Sequence, residues 1–226
     1  MVPQVLLEDN HCLAVSKPAG LLTQGDITGE PSLLDWVRED LRVRFQKPGN
    51  VFVGLVHRLD RPVSGVVLFG KTSKGAARLS KQFREGTVEK LYWAIVEGEV
   101  DGEAGEWADW LGKDEANNVV RVVAKGSEGG RPARLGYRVL GRDRGRTTLE
   151  LRPITGRSHQ LRVQLASRGL PITGDRKYGA SSSVRAEDGG FRIGLHARSV
   201  RFAAPTRSAV IEAIAPVPPD WPGSRV

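Results

Sequence analysis

The sequence predicts a single α+β domain over residues 1–226, built on a long, mainly antiparallel sheet flanked by helices and loops. Three observations predict it. Short apolar runs of strand length recur between clusters of Gly, Pro, Asp and Asn. Three other stretches carry their apolar residues at helical spacing. No internal repeat and no linker divides the chain.

Taken in order, Val5-Leu6-Leu7 and Cys12-Leu13-Ala14-Val15 flank the turn residues Glu8-Asp9-Asn10 and read as a hairpin. Lys17-Pro18-Ala19-Gly20 must leave the strand, because proline donates no ladder hydrogen bond. A polar loop covers 25–29. Leu33, Leu34, Val37 and Leu41 recur as in a helix over 31–45, with Pro31 suited to a first turn. Residues 62–69 end in Val66-Val67-Leu68-Phe69, the pattern of a buried strand. The next helix covers 73–84, capped by Thr72 or Ser73, with Leu79 and Phe83 on one face and Gly86 at its end. Strands follow at 91–96, 119–123, 134–140 and 147–151, the last three joined by glycine-rich turns. A helix over 157–167 carries Leu161, Val163 and Leu165 and stops before Gly169. Strands at 193–202 and 209–214 close the domain, and Pro216, Pro218, Pro219 and Pro222 mark a non-helical tail.

Composition narrows the function. Lys plus Arg number 34 against 26 Asp plus Glu, for a net charge of +8 and a pI of about 10.0. Such an excess suits a polyanionic partner, since each neutralised phosphate releases counterions. The single cysteine, Cys12, excludes an intrachain disulfide and a cysteine-based metal cluster, and its apolar neighbours make it a buried thiol. The N-terminus lacks the basic start and apolar run of a signal peptide, and no apolar stretch is long enough to cross a bilayer. The expectation is a soluble, cytoplasmic protein.

Gly65-Val66-Val67-Leu68-Phe69-Gly70-Lys71-Thr72 matches the phosphate-loop pattern G-x-x-x-x-G-K-[ST] and would imply a nucleotidase. The order of elements is wrong for it. A phosphate loop follows a buried strand and lies open around the phosphates, whereas here the four central residues are themselves the strand. Downstream, no apolar strand ends in an Asp for magnesium. The four histidines show no i, i+4 pair for zinc. No G-x-S-x-G elbow offers a nucleophilic serine.

What remains is His57-Arg58-Leu59-Asp60-Arg61-Pro62-Val63-Ser64-Gly65, a carboxylate between two arginines at the mouth of a buried strand. An arbitrary Asp beside Arg is ordinarily a surface salt bridge. A second basic segment, Gly156-Arg157-Ser158-His159-Gln160-Leu161-Arg162-Val163, sets Arg157 at a helix start, where the dipole does not favour a cation. A cation there suggests a partner such as Asp60.

These segments resemble the RluA-type pseudouridine synthases over nearly the whole chain. His57 to Gly65 resembles the H-R-L-D-x-x-[TS]-S-G signature, and Lys17-Pro18-Ala19-Gly20 the opening motif. Lys90-Leu91-Tyr92-Trp93-Ala94-Ile95-Val96-Glu97-Gly98 resembles K-x-Y-x-A-x-V-x-G, and Gly156 to Val163 resembles G-R-[ST]-H-Q-[IL]-R-V. Pro171-Ile172, Gly174-Asp175 and Tyr178-Gly179 resemble P-I-x-G-D-x-x-Y-G, and Leu195-His196-Ala197 with Phe202 and Pro205 the family's ending. Val63 stands for the usual Thr, and Gly70 for the usual Ala before Lys71, which creates the false phosphate loop. The resemblance is to the catalytic domain without an S4 RNA-binding domain.

The resemblance implies a sheet around a central catalytic cleft, and isomerisation of uridine to pseudouridine in ribosomal or transfer RNA. It implies no cofactor and no metal, and monomer is the default state. Asp60 would be the essential carboxylate, attacking C1′ or assisting deprotonation at C2′. Arg157 would pair with Asp60 and keep it ionised. Tyr92 would pack over the uracil and serve as a base, and Arg58 would enter the RNA where the target nucleotide flips out. Lys71, Lys74, Arg78, Lys81 and Arg84 would track the RNA backbone or form a solvated helix face. His159 and Gln160 would orient the Arg157 turn. The competing readings are an inactive RNA-binding protein on the same fold and the phosphate-loop nucleotidase.

Overall fold

The opening hairpin forms as its pattern dictates. Strand β1 (Gln4–Glu8) pairs antiparallel with β2 (Cys12–Lys17). Asp9 closes the turn, its carboxylate accepting the amides of His11 and Cys12, each at 2.7 Å. The computed structural model describes residues 2–185, 191–219 and 221, so Pro222 of the expected tail lies outside the described residues.

Helix α1 (Leu33–Arg44) starts at Ser32 in a capping box with Asp35 and buries Leu33, Val37 and Leu41. Pro31 therefore precedes the helix and its cap. Short strand β3 (Gly54–Leu55) leads to β4 (Ser64–Gly70), buried throughout. Helix α2 (Ser73–Glu85) is capped by Thr72, whose side chain accepts from the Gly75 amide, and ends at Gly86 with φ 71°. Strand β5 (Glu89–Glu97) is followed by β6 (Ala104–Asp114), β7 (Val119–Val123), β8 (Arg131–Asp143) and β9 (Arg146–Pro153). Then come helix α3 (Gln160–Ala166), the short pair β10 (Val184–Arg185) and β11 (Phe191–Arg192), β12 (Leu195–Ala203) and β13 (Val210–Ile214).

The fold divides into two compact units, one of Met1–Glu89 with Ala197–Val217 and the other of Lys90–His196 with Pro218–Val226. In the first, β2 pairs antiparallel with β1 and β4, β3 pairs with β4, and β12 with β13. Its core joins Cys12, Ala14, Val66 and Leu68 to Leu79 of α2 and Phe202 of β12. Cys12 is indeed buried, and burial together with the Asp9 charge pushes its thiol up to about 12. In the second unit the strand order is β5-β9-β8-β6-β7, each pair antiparallel. Leu111, Val120 and Ala133 pack there on Val163 of α3. The class is α+β, as expected.

Two of the departures from the expected elements have identifiable physical causes. Strand β6, absent from the expectations, reads Ala-Gly-Glu-Trp-Ala-Asp-Trp-Leu-Gly-Lys-Asp and contains no β-branched residue; its ladders to β7 and β8 make it a strand. The helix expected over 157–167 begins only at Gln160, because its cap, His159, stands in the left-handed region at φ 49°.

Candidate active site

Asp60 is half-buried in the irregular segment between β3 and β4. Pro62 keeps this segment out of a ladder. Gly65, at φ 121°, is the second residue of β4, where a Cβ would lie 2.2 Å from the Ala197 carbonyl oxygen. The residues flanking Asp60 are gripped by the loop after β2. Before it, the Thr23 hydroxyl donates to the Leu59 carbonyl at 2.7 Å and accepts from the Leu59 amide at 3.2 Å. After it, the Arg61 carbonyl accepts from the Gly20 amide at 2.8 Å and from Lys17 Nζ at 3.1 Å. The Val63 amide closes a turn on the Asp60 carbonyl at 3.0 Å.

Lys17 is wholly buried, and its ammonium also donates to the carbonyls of Leu21 (2.8 Å) and Pro18 (3.0 Å). Burial pushes that ammonium down to about 7, while the charge of Asp60 favours its protonated form and that of Arg61 opposes it. A buried amine that donates to three carbonyls is thus built against the backbone that carries Asp60.

The two neighbouring arginines differ. Arg61 donates to Glu30 at 2.9 and 2.6 Å and to the Gly20 carbonyl at 2.9 Å, so its charge serves the loop. Arg58 is exposed and reaches Gln24 Oε1 at 3.5 Å. His57 has a packing role: its Nε2 accepts the Leu68 amide at 2.9 Å, and its ring stacks on Phe83 with centroids 4.5 Å apart.

The phosphate-loop pattern is a strand and a helix cap. Residues 65–70 belong to β4, and Thr72 caps α2. Lys71 donates to Glu8 at 2.5 Å and to the Asp9 carbonyl at 2.8 Å, so it does not belong with the other basic residues of α2. Lys74, Arg78, Lys81 and Arg84 are exposed along that helix; Arg78 also donates to the Pro205 carbonyl, and Lys81 lies 3.8 Å from Glu85.

The second unit carries the other candidates. Tyr92 is half-buried on β5, opposite Leu151 of β9 and on the side that Ala94 and Val96 bury. Arg157 is exposed in the turn before α3, three residues ahead of the helix rather than in its first turn. The helix-dipole argument for its partner therefore falls away. Its Nε donates to the Pro132 carbonyl at 3.0 Å. Gln160 does orient this turn, accepting the Arg157 amide at 3.0 Å and the Thr155 hydroxyl at 2.7 Å while donating to the Arg134 carbonyl at 3.0 Å. His159 Nδ1 lies 2.7 Å from the Tyr178 hydroxyl.

Four polar residues given no role in the sequence reading stand out here. Lys17 and Thr23 hold the Asp60 segment. Lys90, its pKa lowered by burial, donates to the Thr155 carbonyl at 3.3 Å beside the Arg157 turn. Arg162 forms a buried pair with Asp175 at 2.6 and 2.8 Å and lies over the Tyr178 ring. A signal for Lys17 existed in the period-2 pattern, which puts it on the same face as Leu13 and Val15. Thr23 offered none, because its partner is 36 residues away.

Comparison with known proteins bears on this arrangement. The family model described as RNA pseudouridylate synthase matches residues 11–167, drawing on both units. The chain is 34% identical over 215 residues to the ribosomal large subunit pseudouridine synthase C of Vibrio cholerae, covering 94% of this chain and 65% of that protein. It is 34% identical over 207 residues to the dual-specificity RNA pseudouridine synthase RluA of Vibrio vulnificus, covering 89% of this chain and 78% of that one. The solved human RNA pseudouridylate synthase domain containing 4 shares the fold, with a TM-score of 0.78 at 24% identity over 95% of this chain and 88% of that one.

Proposed function

The chain belongs to the RNA pseudouridylate synthase family, and from that premise we propose that it isomerises uridine to pseudouridine in ribosomal or transfer RNA. The observation that carries the reading is the Asp60 segment, whose flanking backbone is held on both sides by buried polar groups. A catalytic carboxylate needs that fixity, since a small misplacement of a reacting group forfeits much of the rate.

The chemistry is an intramolecular exchange. The N1–C1′ bond breaks with its electron pair staying on the uracil, the ring turns, and C5 bonds to C1′. The C5 proton leaves to a base and N1 takes up a proton, so substrate and product are isomers. No electrons are exchanged, and the proposal includes neither cofactor nor metal. Asp60 attacks C1′ or assists removal of the C2′ proton. Tyr92 supports the uracil ring and accepts a proton, and Arg58, exposed beside Gln24, takes the place of the flipped nucleotide. Arg157 is the proposed counter-cation of Asp60, on the strength of the resemblance. In this reading residues 1–226 work as one catalytic domain. The relatives' names include a large-subunit ribosomal RNA enzyme and a dual-specificity one, and both RNA classes are retained as substrates.

Chemical mapping of pseudouridine in ribosomal and transfer RNA from cells with and without the gene tests this directly. At least one uridine should lose its modification in the deletion and regain it with the wild-type gene but not with Asp60→Asn. A deletion that changes no uridine, or an Asp60→Asn gene that restores modification fully, would sink the proposal.

A further inference from the structure

One hydroxyl serves both backbone groups of the residue before Asp60. Thr23 Oγ1 donates to the Leu59 carbonyl at 2.7 Å and accepts from the Leu59 amide at 3.2 Å, and both residues are buried, at 4% and 7% exposure. Thr23 is itself fixed from behind. Its carbonyl accepts the Leu34 amide at 3.1 Å, and the Leu22 carbonyl accepts the Leu33 amide at 2.8 Å. These are amides of the first turn of α1, which no intrahelical carbonyl can reach. The helix start therefore holds residues 22–23, and the Thr23 hydroxyl passes that constraint to Leu59, one peptide unit from Asp60. Only a side chain that both donates and accepts at one atom can do this, and serine or threonine can.

We propose that Thr23 is a positioning residue for Asp60, acting through its two hydrogen bonds to the Leu59 backbone and setting turnover rather than RNA affinity. The proposal rests on the reading of Asp60 as the catalytic carboxylate. Affinity is spared because the hydroxyl is buried and bonds only the Leu59 backbone, whereas the RNA contact in this reading is made by the exposed Arg58 side chain, which reaches Gln24 independently. Valine keeps the shape of the side chain and deletes both bonds, leaving a buried N–H and C=O without their partner. Serine keeps both bonds and deletes a methyl group.

The test measures steady-state release of tritium from uracil C5 in unmodified transcripts of large-subunit ribosomal RNA and of transfer RNA. Wild type, Thr23→Val, Thr23→Ser and Asp60→Asn are compared at a temperature where each is folded by circular dichroism. Thr23→Val should lower kcat by about tenfold to a hundredfold with KM within about twofold, and Thr23→Ser should restore kcat to within about threefold of wild type. Full activity of Asp60→Asn, or no release by wild type from either RNA, overturns the reading beneath. An inactive Asp60→Asn beside a folded Thr23→Val of wild-type kcat, or one that changes KM alone, overturns the role of Thr23 and leaves that of Asp60 intact. Should the valine chain not fold, Thr23→Ala is assayed for the same split. If neither variant folds, Thr23 serves stability alone and the proposal fails.

Discussion

At the scale of single residues, Lys17 occupies an environment that its type rarely does, an ammonium wholly inside the protein. Burying an ammonium is costly unless it is hydrogen-bonded, and Lys17 meets that cost with three carbonyl acceptors and the nearby charge of Asp60. Its folded value of about 7 lies below its ordinary 10.5. Between those limits the folded chain therefore holds fewer protons at this site than the unfolded chain. Stability from this group should rise as pH climbs from about 7 to about 10.5, and it is lost again as pH falls through the folded value. Urea unfolding of wild type and Lys17→Met across that range isolates the effect, since every other group titrates in both. The wild type should gain stability relative to the variant as pH rises. Parallel curves would show that Lys17 does not titrate in this window.

At the scale of elements, the contact between β4 and α2 explains the residue that imitates a phosphate loop. A Cβ on Gly70 would lie 2.5 Å from both the amide nitrogen and Cα of Ala76, in the first turn of the helix. Backbone cannot swing aside as a side chain can, so the element pair must separate to accept it. Gly70→Ala should destabilise the protein by about 1–3 kcal/mol, the usual cost of overpacking. Equilibrium denaturation measures this, and an unchanged midpoint would mean that α2 shifts freely. The same geometry commits Lys71 to Glu8 and Asp9, leaving the motif's lysine engaged within the protein.

At the scale of the whole molecule, the net charge of +8 becomes a statement about association. Lys74, Arg78, Lys81 and Arg84 are exposed on α2, while Lys71, Arg44 and Arg61 are engaged by carboxylates. If the α2 residues contact RNA phosphates, binding should weaken linearly in log salt. Changing all four to Gln should flatten the slope by about 0.7 to 0.9 for each phosphate contact removed. Filter binding of a ribosomal RNA transcript across a salt series reads this, and an identical slope would make the stripe a solvated face. The division into two units was not legible from composition. The chain passes between them inside β5, at Glu89 and Lys90, inside β12, at His196 and Ala197, and again at Val217 and Pro218; the first two changes fall within strands, with no glycine- or proline-rich linker to mark them.

Asp60 and its surroundings separate what the sequence determined from what only the tertiary structure decided. Local pattern was enough for β7, for both ends of α2, for the apolar runs of β2 and β4, and for the family resemblance built on His57 to Gly65. Each of these depends on residues close together in the chain. Local pattern misplaced two strand ends, since Lys17 stays in β2 through its pairing with Gly65 and β4 starts only at Ser64, after Pro62. The start of α3, the strand β6 and the roles of Lys17, Lys71 and Thr23 were not legible. The left-handed turn at His159 sets the first, and ladders to distant strands set the second. Polar side chains choose partners by position in space, and Thr23 meets Leu59 across 36 residues with nothing in either neighbourhood to announce it. The sequence singled out Asp60 as the proposed carboxylate; folding supplied the groups that hold the backbone on either side of it, because fixing one short irregular segment takes hydrogen bonds that only long-range packing can deliver.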